Sequence, residues 1–148
     1  TWNGAPTVYY GDEAGVTGWT DPDNRRTYPW GREDMELIAF HKAAISLRKE
    51  YPVLRHGSLK QLYGAYGVLA YGRFDEKEKI LVALNNTEEI RTVSIPVWQI
   101  GVQAEGTLQN CLMTNRDGFT VFGFSYPVRN GNVLLSLPPK SAMAVREI

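Results

Sequence analysis

At about residue 52 the apolar residues of this chain change their period, and that switch narrows the folds open to it. Before it the spacing is helical. After it, apolar residues alternate two by two between Gly-marked turns, the pattern of strands with one face inward. Lys79–Asn85 is apolar on both sides: Ile80, Val82 and Leu84 point one way, Leu81 and Ala83 the other. Such a strand belongs at the centre of a sheet. Further strands are expected at Ser58–Tyr63, Val68–Phe74, Arg91–Val97, Thr120–Ser125, Asn132–Leu137 and Ala142–Arg146. Turn signals stand between them at Asp75-Glu76-Lys77, Asn85-Asn86, Asp117-Gly118 and Asn130-Gly131. Asn130-Gly131 is the sharpest, because Asn-Gly supplies the positive φ angles of a tight hairpin. About seven short strands joined by short turns predict an antiparallel β-sandwich with Greek-key connections.

The first part of the chain follows another logic. Glu33–Tyr51 carries Leu37, Phe40, Ala44 and Leu47 on one stripe with Ile38 and Ile45 beside it, as a helix packed on one face would. Its acids come first and its bases last, which suits the helix dipole, and Pro52 ends it. Ala5–Tyr10 is a short apolar and aromatic run between Gly4 and Gly11, expected as a buried strand with Pro6 near its start. Gly11–Gly31 is rich in Gly, Asp, Asn and Pro and is expected as a long ordered loop, a length that is usually functional or disordered. Strand, loop and helix in that order make one β/α unit, which any α/β protein could contain. The chain is therefore expected to be mostly β, with residues 1–52 as one part and 53–148 as an antiparallel domain.

Composition sets what can be expected of partners. Of 148 residues, 16 are basic and 16 acidic, so no net field draws the chain to nucleic acid or to an anionic membrane. No apolar run is long enough to span a bilayer. Cys111 stands alone, which rules out an internal disulfide and leaves a small buried hydrophobe. The chain starts Thr-Trp-Asn without Met or a signal peptide, as an N-terminal truncation would leave it. His41 and His56 lie far apart and lack Cys, Asp or His neighbours, so no metal site is expected. No P-loop, dinucleotide fingerprint or nucleophile elbow is present, and no cofactor is expected.

The loop offers the chemistry. In Asp21-Pro22-Asp23-Asn24-Arg25, Asp21 and Arg25 can converge if the loop coils tightly. A carboxylate accepts from two hydroxyls while a guanidinium donates in a planar fork, so the pair complements vicinal hydroxyls of a sugar. The plainer reading is that Asp21 caps a turn and that Arg25 or Arg26 pairs with a carboxylate to hold the loop. Trp19, Tyr28 and Trp30 could stack on sugar faces or cover a core. Asp12 and Glu13, adjacent on an extended segment, would point apart and do not make an acid/base pair.

Gly-Ala-Pro-Thr-Val-Tyr-Tyr-Gly-Asp-Glu-Ala-Gly (Gly4 to Gly15), followed by Asp21–Trp30, resembles the end of the catalytic barrel in the α-amylase superfamily of glycoside hydrolases. The eighth barrel strand there reads roughly G-x-P-x-x-Y-Y-G-x-E and leads into a substrate-touching loop. The resemblance implies a C-terminal fragment, since a whole barrel needs about 250 residues. In the cyclomaltodextrinase, neopullulanase and maltogenic amylase group that loop carries Asp-Pro-x-x-Arg, whose Asp and Arg contact sugar on the non-reducing side of the cleaved bond. The matching residues are Asp21 and Arg25, with Trp19 as a companion candidate, and Glu13 matches a loop-anchoring Glu. The implied activity is retaining hydrolysis of α-linked glucans by an Asp nucleophile, a Glu acid/base and a second Asp, all on loops after earlier strands. This chain would then supply no catalytic residue and be inactive alone, its partners being an α-glucan and the remainder of the barrel. Asn24 and Arg26 depart from several of these enzymes, which leaves preference among starch, pullulan and cyclodextrins open.

Two other readings concern the β domain. It could be a carbohydrate-binding module with its own site at Tyr63, Tyr66, Tyr71 or Trp98, or a brace that packs against the barrel. The strand Ala5–Tyr10, without parallel neighbours in this chain, is expected to refold, disorder or associate.

Overall fold

The alternating segments do pair into sheets. In the computed structural model, which describes residues 1–148, helices α1 (Met35–Glu50) and α2 (Val53–His56) precede nine strands. The strands are β1 (Ser58–Ala65), β2 (Val68–Phe74), β3 (Lys79–Asn85), β4 (Arg91–Ile95), β5 (Thr107–Asn115), β6 (Gly118–Thr120), β7 (Ser125–Arg129), β8 (Asn132–Leu137) and β9 (Ser141–Glu147). Every pairing is antiparallel, in the order β1-β2-β3-β9-β5-β7-β8-β4, with β6 hanging on β5. The path folds over at β7: Tyr126 and Pro127 pair with β5, while Val128 pairs with Val133 of β8. A first sheet, β1-β2-β3-β9-β5, thus faces a second, β4-β8-β7, as the alternation predicts.

The doubly apolar β3 lies between β2 and β9, where its composition requires it to be. Leu81 and Ala83 point into the space between the sheets, packed with Val93, Ile95, Val133 and Leu135. Ile80 and Val82 point the other way, into a second apolar layer with Leu47 of α1 and Val53 and Leu54 of α2. The first sheet is therefore covered on both faces, and the molecule is three layers thick. Each such side chain taken fully out of water contributes about 1.5–3 kcal/mol.

Helix α1 begins where Asp34 accepts a hydrogen bond from the Leu37 N–H at 2.9 Å, satisfying one of the free first-turn donors. Phe40, Ala43, Ala44 and Leu47 face the sheet, and Ile45 faces solvent. Pro52 starts the short α2, whose last turn leads to Gly57. A Cβ at Gly57 would come within 2.6 Å of the Val53 carbonyl oxygen, so the corner has no room for a side chain.

Three segments differ from their sequence expectation. Ala5–Tyr10 forms no strand; it runs irregularly, with Val8, Tyr9 and Tyr10 about half exposed, because no other strand lies beside it to accept its ladder bonds. Thr120–Ser125 is split between β6 and β7, and Val121, Phe122 and Phe124 between them are exposed. Arg91–Val97 ends at Ile95, since Pro96 cannot donate to a ladder, and Val97–Ile100 turns as a 3-10 helix.

Tyr51, at the end of α1, ties this architecture to pH. Burial and the Glu50 side chain push its hydroxyl up to about 12. An unfolded tyrosine ionises near 10, so the folded form holds its proton longer. Its contribution to stability is complete below about pH 10 and is lost as pH rises toward 12. Tyr71 and Tyr126, raised chiefly by burial, act in the same direction. The melting temperature is expected to fall across that window, and Tyr51→Phe to flatten the decline. Superimposable pH profiles of the variant and the parent protein would contradict this.

Candidate functional site

The loop from Gly11 to Gly31 is shaped by its own short contacts. Glu13 accepts from the Gly11 N–H at 3.1 Å and Asp12 from the Tyr9 N–H at 3.0 Å, so this carboxylate pair closes the turn Asp12–Ala14 on itself. Ala14 is buried, and its carbonyl accepts from the Asp34 N–H at 3.2 Å, which fastens the loop to the start of α1. The next turn, Asp23–Arg25, is closed by bonds from the Asp23 and Asn24 N–H groups to the Thr20 carbonyl. Gly18 lies hard against it: a Cβ there would be 2.6 Å from the Asn24 Cα. Coiling at this point is what sequence spacing could only make a condition.

Asp21 and Arg25 do meet. Arg25 Nε lies 2.8 Å from Asp21 Oδ1, and both side chains are well exposed. Beside them Arg26 Nη2 lies 2.6 Å from Asp23 Oδ1, and the second Asp23 oxygen accepts from the Trp19 N–H at 3.2 Å. The Arg26 hydrogen bond holds the Asp23 carboxyl below its usual range. Exposed ion pairs of this kind are worth about 0.2–1 kcal/mol, so Asp21 and Arg25 can exchange each other for a ligand's hydroxyls at little cost. The Trp19 side chain is 87% exposed next to this double pair.

The Tyr28 and Trp30 rings touch at a tilt of 49° with centroids 4.6 Å apart, and Trp30 remains exposed. The Tyr10 hydroxyl donates to the Arg26 carbonyl at 2.9 Å, linking the two ends of the loop. Sequence spacing missed a second feature, an open cleft of about 490 Å³ lined by Gly15, Val16, Thr17, Arg26, Thr27, Pro29 and Arg32. It has arginines from positions six apart in its lining, and only the coiled backbone reveals it.

The remaining candidates lie elsewhere. His41 Nδ1 is 2.9 Å from the Leu37 carbonyl oxygen, one turn back on its own helix. No group of three or more His, Cys, Asp or Glu side chains is arranged to hold a metal ion. Tyr71 is buried, with Trp2 edge-on at 5.0 Å and the Thr1 hydroxyl at 2.7 Å. Tyr63 packs on the core between the sheets, while Tyr66 and Trp98 face solvent.

Residues 57–134 match the family model described as the α-amylase C-terminal domain. An amylopullulanase of Thermoanaerobacterium thermosulfurigenes is 33% identical over 95% of this chain and 8% of its own length. Neopullulanase 2 of Thermoactinomyces vulgaris is 32% identical over 97% of this chain and 23% of its own. Among solved structures, the α-amylase of Geobacillus thermoleovorans complexed with acarbose superposes with a TM-score of 0.78 at 28% identity, covering 95% of this chain and 29% of that one. The chain thus spans less than a quarter of either of these two relatives.

Proposed function

The chain belongs to the α-amylase C-terminal domain family, and from that premise we propose that it is part of a retaining glycoside hydrolase acting on α-linked glucans. In this reading residues 1–52 are the terminal unit of the catalytic barrel and 53–148 the accessory β domain that braces it. The nucleophile and the acid/base, about 5–5.5 Å apart in a retaining enzyme, belong to the rest of that barrel and not to this chain.

The observation that carries the reading is the exposed Asp21–Arg25 pair on a coiled loop. Asp21 accepts from two neighbouring hydroxyls of a glucosyl unit and Arg25 donates to the same or the next one, while Trp19 offers an apolar face to the ring. These groups orient sugar next to the scissile bond; they do not break it. The half-exposed Val8, Tyr9 and Tyr10 fit a segment that is covered when the rest of the barrel is present.

Incubating the purified chain with maltotetraose, pullulan and β-cyclodextrin is expected to release no reducing ends above the blank. In the full-length enzyme Asp21→Ala is expected to lower kcat/KM about 10- to 100-fold, the equivalent of a charged hydrogen bond or two. Turnover by the chain alone, or an Asp21→Ala enzyme with unchanged kcat/KM, would overturn the assignment.

A further inference from the structure

Gly4, at the head of the stretch that leads into the loop, has room for a side chain: a Cβ there would meet nothing within 4 Å. Its φ of +85° is what favours glycine, and its carbonyl accepts from Arg48 Nη2 at 2.6 Å. We propose that Arg48 is a positioning residue for the Asp21–Arg25 pair, holding the segment that carries the loop against α1 and the α2 corner. Its effect on sugar rests on the proposed function.

Residues 1–8 have no strand beside them, and their hydrogen bonds all run to later parts of the chain. The Thr1 hydroxyl meets that of Tyr71 at 2.7 Å, the Thr1 carbonyl accepts from Arg73 at 2.7 Å, and Gly4 takes Arg48. Arg48 is the last of these ties before the loop, and no carboxylate pairs with it. Its other nitrogen, Nη1, donates to the Leu54 carbonyl of α2 at 2.6 Å. One planar fork thus joins the loop-bearing segment to the corner where the β domain begins. Further along, Ala14 is tied to the Asp34 N–H at the opposite end of α1, so the helix splints the segment at both ends. The Tyr10 hydroxyl then carries that position across to the carbonyl of Arg26, the neighbour of Arg25.

The Leu54 carbonyl accepts from Arg73 as well, at 3.0 Å. Removing the Arg48 fork therefore leaves Leu54 satisfied and frees the Gly4 carbonyl, so the consequence falls on the loop-bearing segment and not on the sandwich. Arg55 provides a contrast at the same corner. Its guanidinium donates to the Arg48 and Lys49 carbonyls at 2.6 and 2.8 Å, closing the end of α1 with no hydrogen bond to residues 1–31.

Arg48→Met keeps the apolar stem and removes the fork, and hydrogen exchange on the purified chain compares it with Arg55→Met. In Arg48→Met the Val16 N–H, bonded to the Gly11 carbonyl at 2.9 Å, and the Asp34 N–H are expected to exchange about tenfold faster while the β3 amides keep their rates. Arg55→Met is expected to leave Val16 and Asp34 unchanged. Equal acceleration in β3 would make Arg48 a support of the whole fold, and unchanged rates at Val16 and Asp34 would show the segment held without it; either overturns the proposal. In the full-length enzyme Arg48→Met is expected to lower kcat/KM about three- to tenfold, with no further loss when added to Asp21→Ala. Additive losses would overturn the action through the pair. Exchange as expected beside an Asp21→Ala enzyme of unchanged kcat/KM would support the hold on the segment and count against the sugar reading.

Discussion

Asn85→Asp, which trades one amide for one carboxylate of the same shape, is expected to destabilise the fold by about 3 kcal/mol or more. Asn85 sits at the end of β3, 2% exposed. Its nitrogen donates to the carbonyls of Glu89, Leu137 and Pro138 at 2.8, 3.1 and 2.8 Å, and its oxygen accepts from the Thr87 N–H and hydroxyl at 3.0 and 2.8 Å. One side chain thereby fastens the β3–β4 turn to the β8–β9 turn. An aspartate there would set a negative charge against three carbonyl oxygens. It would be forced to keep a proton, so its folded pKa would rise above the unfolded value of about 3.9. The variant should therefore regain stability as pH falls and lose it as pH climbs through that raised value. Urea melts at two pH values test this; a variant as stable as the parent protein at neutral pH would sink the idea.

Arg73→Lys is expected to cost about 3 kcal/mol despite keeping the charge. The Arg73 side chain is 1% exposed on β2, and no carboxylate faces it. Its guanidinium instead donates to four backbone carbonyls: Thr1 at 2.7 Å, Gly57 at 2.9 Å, Leu54 at 3.0 Å and Ser58 at 3.3 Å. Burial and then the nearby Arg48 lower its pKa, the mark of a charge that the fold tolerates for its geometry. A lysine has three donors at one point and cannot span that arc. The orphaned carbonyls include those at the α2 corner, so loss of amide protection at Gly57 and Ser58 is expected alongside the lower urea midpoint. Full stability in Arg73→Lys would mean that charge and not the fork is what matters.

Both residues show where sequence reading stops. Asn85-Asn86 reads as a turn signal, and nothing in spacing distinguishes a turn Asn from one that serves as the polar core of two turns. Arg73 falls in a strand whose alternation is otherwise apolar and looks like an outward position. The central strand β3 was legible because both its faces are apolar, and the helix because its stripe and caps agree. β5 was not, although it is nine residues long. Its ladder with β9 slips between Asn110 and Leu112, so Leu108 points between the sheets and Leu112 under the helices. The bulge breaks the two-residue period, and Asn110 occupies a buried place where the pattern wants an apolar side chain. In the loop, sequence singled out Asp21, Arg25 and Trp19, and the structure pairs Asp21 with Arg25 and leaves Trp19 exposed. The close approach of Gly18 to residues 23 and 24, which coils the loop, is a matter of backbone packing that no spacing rule contains.

The double covering of the first sheet bears on how a piece of this kind can be moved between proteins. The family match begins at residue 57, yet Leu47, Val53 and Leu54 complete the layer beneath Ile80 and Val82. A graft cut at residue 57 would leave that layer bare and sticky, prone to clump rather than to work. The smallest unit fit for transplanting starts at the Asp34 cap. A donor that hands over the β domain must hand over helix α1 with it, so in recombination the two travel as one cassette.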